Sequence, residues 1–314
     1  MLQYLVILLD DTAVAYCHAD NPLTERNLMP FDTLRKAIVY GMKENLMIQF
    51  VYPAYDLPDE YNTLIESIDH IKIGREVAVF NTIPKAIGDD NVVLRLRLGE
   101  VLARPDDIAR LFPEVMRLNL VITDVETFRD EQIPAYEQVL NGWCDALFEC
   151  YRRGARPQVN LLTDRLQLDL MHNCDAGNSN VTVAPNGRFY LCPAFYYDER
   201  TGVSNRLNHH KPSPDRAIGD LDSGLCVPNQ QLLKLDNAPL CRICDAFHCR
   251  RCIWLNQRLT WDANTPSHQQ CVMAHLERNA SRRLQLRFRE AGMPVDQEIK
   301  EINYLDPFDV REQK

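Results

Sequence analysis

Four thiols fall within the twelve residues Cys241-Arg-Ile-Cys244-Asp-Ala-Phe-His-Cys249-Arg-Arg-Cys252. Two cysteines separated by two residues can turn both sulfurs to the same side of a tight turn and so hold one metal centre. Soft thiolates at this density suit zinc or iron–sulfur clusters. A disulfide framework would need an oxidising compartment. The opening Met1-Leu-Gln-Tyr-Leu-Val-Ile-Leu-Leu9 carries neither the basic flank nor the small-residue cleavage site of a secretory signal. The expectation is therefore a cytoplasmic protein whose thiols serve a metal or a cluster.

The knot has company. Of eleven cysteines, eight lie between Cys174 and Cys271, and only Cys17, Cys144 and Cys150 precede them. Cys174 and Cys192 flank Pro185-Asn186-Gly187, which reads as a hairpin turn between Val181–Val183 and Arg188–Leu191, with both residues of the Asn-Gly pair at positive φ. Cys271 follows the knot after eighteen more residues, and Cys226 lies in the gap before it. Two zinc sites would need eight ligands, which seven of these thiols plus Cys226 or His248 would supply. His248 is otherwise a neighbour of the site or an exposed residue. Arg250-Arg251 reads as solvated charge, or as donors to cluster sulfurs or a peptide carboxylate. Cys144 and Cys150 are neither three nor four residues apart on their helix, so they read as partly buried thiols acting as small hydrophobes.

These residues must be carried by a folded frame. The chain has 314 residues, 46% of them apolar, enough for full cores. A formal charge of -9 argues against a large nucleic-acid footprint. The run Leu5–Leu9 is far shorter than the ~20 residues of a membrane span and stops at Asp10-Asp11, so no membrane anchor is expected. Strands are predicted over 4–9, 47–51, 77–80, 92–98, 118–123 and 159–162. Helices are predicted after a cap at Phe31-Asp32-Thr33, over 59–68, from Pro105 to Met116, and over 135–153. Such alternation predicts an α/β fold, a parallel sheet covered by helices. About 170 residues is short for an eightfold barrel, which leaves a partial (β/α) barrel of about six units over residues 1–168. A cysteine-rich domain over 169–291 and an acidic tail over 292–314 follow. The stretch with His209, His210, Pro212 and Pro214 reads as a surface loop. A last helix, 271–290, carries Arg278, Arg282, Arg283, Arg287 and Arg289, which reads as a solvated face, or as a docking face for an acidic partner.

The C-terminal array resembles the SPASM region that follows the barrel of radical-SAM peptide-modifying enzymes. The matching residues are the Cys174…Gly187-x4-Cys192 hairpin, Ile218-Gly219-Asp220-Leu221, the knot and Cys271. The resemblance implies auxiliary [4Fe–4S] clusters, one or two in number. Cys241, Cys244, Cys249 and Cys271 would hold one, and Cys174, Cys192 and Cys252 would contribute to the other. Cys226, His172, a substrate group or an open iron would fill the fourth place of the second. Zinc remains the alternative. The knot spaces its thiols by four and two residues where the family commonly has five and three.

A radical-SAM enzyme carries three cysteines after its first strand, whereas this chain has Cys17 alone, in Tyr16-Cys17-His18. The segment Tyr52-Pro-Ala-Tyr55 lacks the glycine-rich turn that contacts SAM. SAM radical chemistry is therefore not expected, and Cys17 reads as a loop or core thiol. His18, Asp20, Asp10 and Asp11 stand near strand ends where β/α sites gather, but form no convincing acid–base set. With Leu8-Leu9-Asp10-Asp11-Thr12 and Glu44-Asn-Leu-Met-Ile-Gln-Phe-Val-Tyr52, the chain resembles the CXXX repeat peptide maturases. The resemblance implies a cysteine-repeat precursor peptide as partner, beside a separate radical-SAM or other maturation enzyme. Two roles follow from it: an enzyme or accessory using an auxiliary cluster, or a non-catalytic scaffold stabilised by cluster or zinc.

Overall fold

The computed structural model describes residues 2–171, 174–202 and 215–293. His172, the His209-His210 loop and the tail beyond 293 lie outside the described residues. In chain order the elements are β1 (Tyr4–Leu8), α1 (Phe31–Lys43), β2 (Met47–Val51), α2 (Asp59–Ile65), β3 (His70–Ile73), β4 (Val77–Phe80) and β5 (Asn91–Leu96). Then come α3 (Leu98–Ala103), α4 (Pro105–Ala109), β6 (Arg117–Ile122), α5 (Ile133–Arg152), β7 (Gln158–Val159) and α6 (Asn160–Thr163). The chain continues through β8 (Asn180–Val183), β9 (Phe189–Tyr190), α7 (Pro193–Thr201), β10 (Gly219–Asp220), β11 (Gly224–Leu225), α8 (Ile253–Thr260) and α9 (His268–Glu290). The α/β class predicted from the alternation is the class observed.

Contacts divide the chain into two compact units, Met1–Val77 with Asp175–Asn237 and Ala78–Cys174 with Ala238–Lys314. In the first unit the strands run in the order β3-β2-β1-β8-β9, parallel except for the β8/β9 hairpin. Its core buries Leu5, Ile7, Leu34, Ile38, Phe50, Val181 and Phe189. Leu34 and Ile38 come from one stripe of α1, four residues apart, and Leu5 and Ile7 from one face of β1. In the second unit β5, β6 and β7 pair in parallel. There α5 buries Tyr136, Val139, Leu140, Trp143 and Leu147, the stripe anticipated from their spacing.

Several elements differ from expectation for identifiable reasons. The helix after Pro30 starts at Phe31 with Pro30 at the cap position, and no side chain caps it. Strand β3 was not anticipated, since His70-Ile-Lys-Ile73 is short and lies directly behind α2. The helix from Pro105 stops at Ala109, and Pro113 falls in a short 3-10 turn before β6. The predicted strand 159–162 is only β7, followed by helix α6. Asn160 explains the switch: its side-chain amide donates to the Leu120 carbonyl at 2.9 Å and its Oδ1 accepts the Leu120 N–H at 2.8 Å. A side chain thus takes the backbone's place on β6. In the hairpin only Gly187 has positive φ, at 76°, and its N–H closes the turn on the Ala184 carbonyl at 2.9 Å. Pro185 pre-sets the turn, so Asn186 needs no left-handed backbone.

Gly219 allows no side chain. It sits at φ 128°, and a Cβ there would lie 2.1 Å from the Gly224 carbonyl oxygen. Gly219→Ala is expected to open the β10/β11 hairpin and to destabilise the chain by about 1–3 kcal/mol. Urea unfolding of the variant measures the effect, and an unchanged midpoint would contradict it.

Among the described residues no helix is long and apolar enough to cross a membrane.

Candidate functional site

The second unit brings four of the predicted ligands to one cavity. Cys241, Cys244, Cys249 and Cys271 line a space of about 20 Å³ together with Arg251, His275 and apolar side chains including Met171 and Ala274. Short local turns set the first three thiols. The Cys244 N–H bonds the Cys241 carbonyl at 3.1 Å, and the Cys249 N–H bonds the Ala246 carbonyl at 2.9 Å. Cys271 comes from the first turn of α9, whose start is fixed by Ser267 accepting the Gln270 N–H at 3.2 Å. His275 is one turn further along the same face, with Nε2 3.7 Å from the Cys244 sulfur.

Burial pushes the Cys244 thiol up to about 12, against the opposing pull of the Ala246 N–H, which reaches its sulfur at 3.4 Å. Burial likewise pushes Cys249 up to about 12, and here the Arg251 N–H opposes it. A metal bound there would take both as thiolates and displace their protons. Among the described residues, no three His, Cys, Asp or Glu side chains converge on a point that could hold a single ion. The four thiols instead stand around the wall of a shared space. A donor set of four thiolates fits a [4Fe–4S] cluster, which takes one sulfur at each iron.

Charge behind the knot is organised in a way the sequence did not disclose. Asp245 is buried and receives three guanidinium groups: Arg165 at 3.1 Å, Arg278 at 3.1 Å and Arg282 at 3.3 Å. Arg165 also donates to the Asp245 carbonyl at 2.8 Å and is itself fully buried. The arginines of α9 were expected on a solvated face. Arg278 and Arg282 instead turn inward, because one buried carboxylate between two cysteines draws them to a single stripe of the helix. His248 is neither exposed nor among the residues lining the cavity. Its Nε2 lies 3.1 Å from Glu277 Oε2, and Glu277 accepts the Tyr136 hydroxyl at 2.6 Å. Arg251 is buried, not solvated, while Arg250 is partly exposed, 3.8 Å from Asp164.

The other predicted ligands are placed as follows. Cys252 is buried at the cap position of α8, and the half-buried Cys174 donates its backbone N–H to the Arg250 carbonyl at 2.8 Å. Cys192 stands at the cap position of α7 and belongs, with the exposed Cys226, to the first unit. Cys144 is a buried thiol donating to the Ala280 carbonyl at 3.4 Å, and burial pushes it up to about 12, as its reading as a small hydrophobe anticipates.

At the end of β1, Asp10 and Asp11 are buried acceptors. Asp10 accepts the N–H groups of Thr12 at 2.7 Å and Asn27 at 2.9 Å, and the Tyr55 hydroxyl at 2.8 Å. Asp11 accepts Asn27 at 3.2 Å, Arg200 at 3.2 Å and the Tyr196 hydroxyl. Burial, then the neighbouring carboxylate, raises both tyrosines well above the usual range. So many internal donors make the pair a structural lock on the loop after β1. Cys17 and His18 are half-buried in that loop, and Asp20 is exposed.

No protein-family model and no curated protein matches the chain. Solved structures of similar fold include native anSMEcpe with bound AdoMet and Kp18Cys peptide, at 10% identity and TM-score 0.56, covering 91% of this chain and 99% of that one. Native anSMEcpe with bound AdoMet and Cp18Cys peptide gives 11% identity and TM-score 0.57 over 92% and 99%. Native anSMEcpe with bound AdoMet gives 11% identity and TM-score 0.55 over 91% and 100%.

Proposed function

We propose that the chain has a radical-SAM/SPASM-like fold, a reading that its likeness to the anSMEcpe structures supports. We propose that it is a peptide-maturation protein of the CXXX repeat peptide maturase kind. In this reading it binds a cysteine-repeat precursor peptide and carries auxiliary iron–sulfur clusters in a SPASM-like region over residues 169–291. The observation that carries the reading is the cavity walled by Cys241, Cys244, Cys249 and Cys271, the four residues that the family pattern assigns to one cluster. Peptides bound to the similar solved structures support a peptide partner. Cys174, Cys192 and Cys252 are assigned to a second cluster, with Cys226 as a candidate fourth ligand. When bound, such clusters supply electron transfer or, at an open iron, a place for a substrate thiolate. The chain's own part is to hold them: the turns of the knot set three sulfurs, α9 supplies the fourth, and the Asp245 network fixes the turn to the helix.

A second reading is favoured by one specific feature. Cys17 is the only cysteine before Cys144, so the three-cysteine SAM motif is missing. In that reading the protein is a non-catalytic scaffold, holding clusters or zinc, that presents the peptide to a separate radical-SAM enzyme.

The test uses the purified full chain and a synthetic peptide with repeated Cys-x-x-x units, under anaerobic conditions with and without SAM. Binding is expected, with no SAM-dependent cleavage. A change in peptide mass in the presence of the chain alone would select the enzyme reading, and unchanged mass the scaffold. Absence of binding to any cysteine-bearing peptide would overturn the peptide reading, and SAM cleavage would overturn the claim that radical chemistry is lacking.

A further inference from the structure

Arg251 is 1% exposed and lies in the cavity wall with the four thiols. Its backbone is at φ 35°, a conformation that non-glycine residues seldom adopt. That turn places it between two cysteines of the knot, and its Nη1 donates to Asn264 Oδ1 at 2.5 Å. A guanidinium stays protonated at any working pH, so Arg251 brings a fixed positive charge to the cavity wall. The adjacent residue Arg250, by contrast, is partly exposed and lies near Asp164, away from the cavity wall.

We propose that Arg251 is a positioning residue whose buried positive charge is the built-in counter-charge of the group held by Cys241, Cys244, Cys249 and Cys271, and that it raises that group's reduction potential. This inference rests on the reading of the cavity as an iron–sulfur site. Four thiolates bring negative charge into the cavity, and uptake of one electron from an added reductant such as dithionite brings one more. A fixed cation beside them makes that uptake easier.

The experiment compares Arg251→Gln, Arg251→Lys and Arg250→Gln in the anaerobically loaded full chain, by iron and sulfide content and by dithionite-poised redox titration. Arg251→Gln is expected to hold iron and sulfide at the wild-type level and to reduce at a more negative potential. Arg251→Lys should fall between it and the wild type, and Arg250→Gln should match the wild type. A wild-type potential in Arg251→Gln, or an equal shift in Arg250→Gln, overturns the proposal. Should Arg251→Gln hold no iron, loading restored in Arg251→Lys supports the counter-charge, and an empty Lys variant overturns it in favour of a purely structural fork to Asn264. A wild-type chain without iron and sulfide refutes the cluster reading itself, a separate outcome.

Discussion

Asp245→Asn is expected to lower the unfolding free energy by about 3–5 kcal/mol, the cost of removing one partner from a buried ion pair. Asp245 is 2% exposed, and Arg165 and Arg278, which face it, are likewise buried. Desolvation already lowers Arg165 to about 10, and the Asp245 charge is the largest influence holding it up. An amide keeps the shape and can accept a hydrogen bond, but it leaves the guanidiniums without their shared anion. Arg282 is only partly buried, so water recovers some of its loss, and Arg165 and Arg278 carry most of the penalty. Chemical denaturation of the full chain measures the effect. A loss under about 1 kcal/mol would show that the network contributes no more than an exposed ion pair.

The second large effect is expected from the double variant Cys241→Ser, Cys244→Ser. It removes two of the four thiols lining the cavity, and it is expected to abolish metal at that site and to loosen the chain from Ala238 to Cys271. Structural metal sites contribute on the order of 10 kcal/mol of apparent binding free energy, which in a small knot becomes folding energy. Between Ala238 and α8 the described chain has only turns and no regular element. Little else organises it. Cys144→Ser is the control, because its thiol is buried against α9 at the Ala280 carbonyl and does not line the cavity. That variant is expected to keep its metal with a modest loss of stability. Metal content and limited proteolysis check both, and unchanged metal in the double variant would contradict the assignment.

How much of this was legible before the structure depends on the kind of signal. The β1–α1–β2 unit announced itself through an apolar run, an amphipathic helix and a second run, since period and burial coincide there. Strand β3 did not, because four residues with one buried side chain carry little pattern. The grouping of Cys241, Cys244, Cys249 and Cys271 came from family resemblance and not from spacing, which leaves two metal types open. Cys241, Cys244, Cys249 and Cys271 line one cavity. What the sequence concealed was the destination of charge. Arg278 and Arg282 are four residues apart, and an i, i+4 pair looks the same whether it faces water or a buried carboxylate. One signal was available: Asp245 is the one acidic residue inside the knot, set among thiols and arginines. Arg251 was read as solvated for a related reason, since local sequence does not reveal that a loop residue will be covered by another element.

One measurement tests metal at the C-terminal thiols most directly. The full chain is purified without oxygen, assayed for iron, acid-labile sulfide and zinc, and its absorption spectrum recorded. Iron and sulfide in equal amounts, about four of each per cluster, with the broad visible absorption of a [4Fe–4S] centre, are the predicted result. Zinc at two equivalents with no sulfide would contradict it.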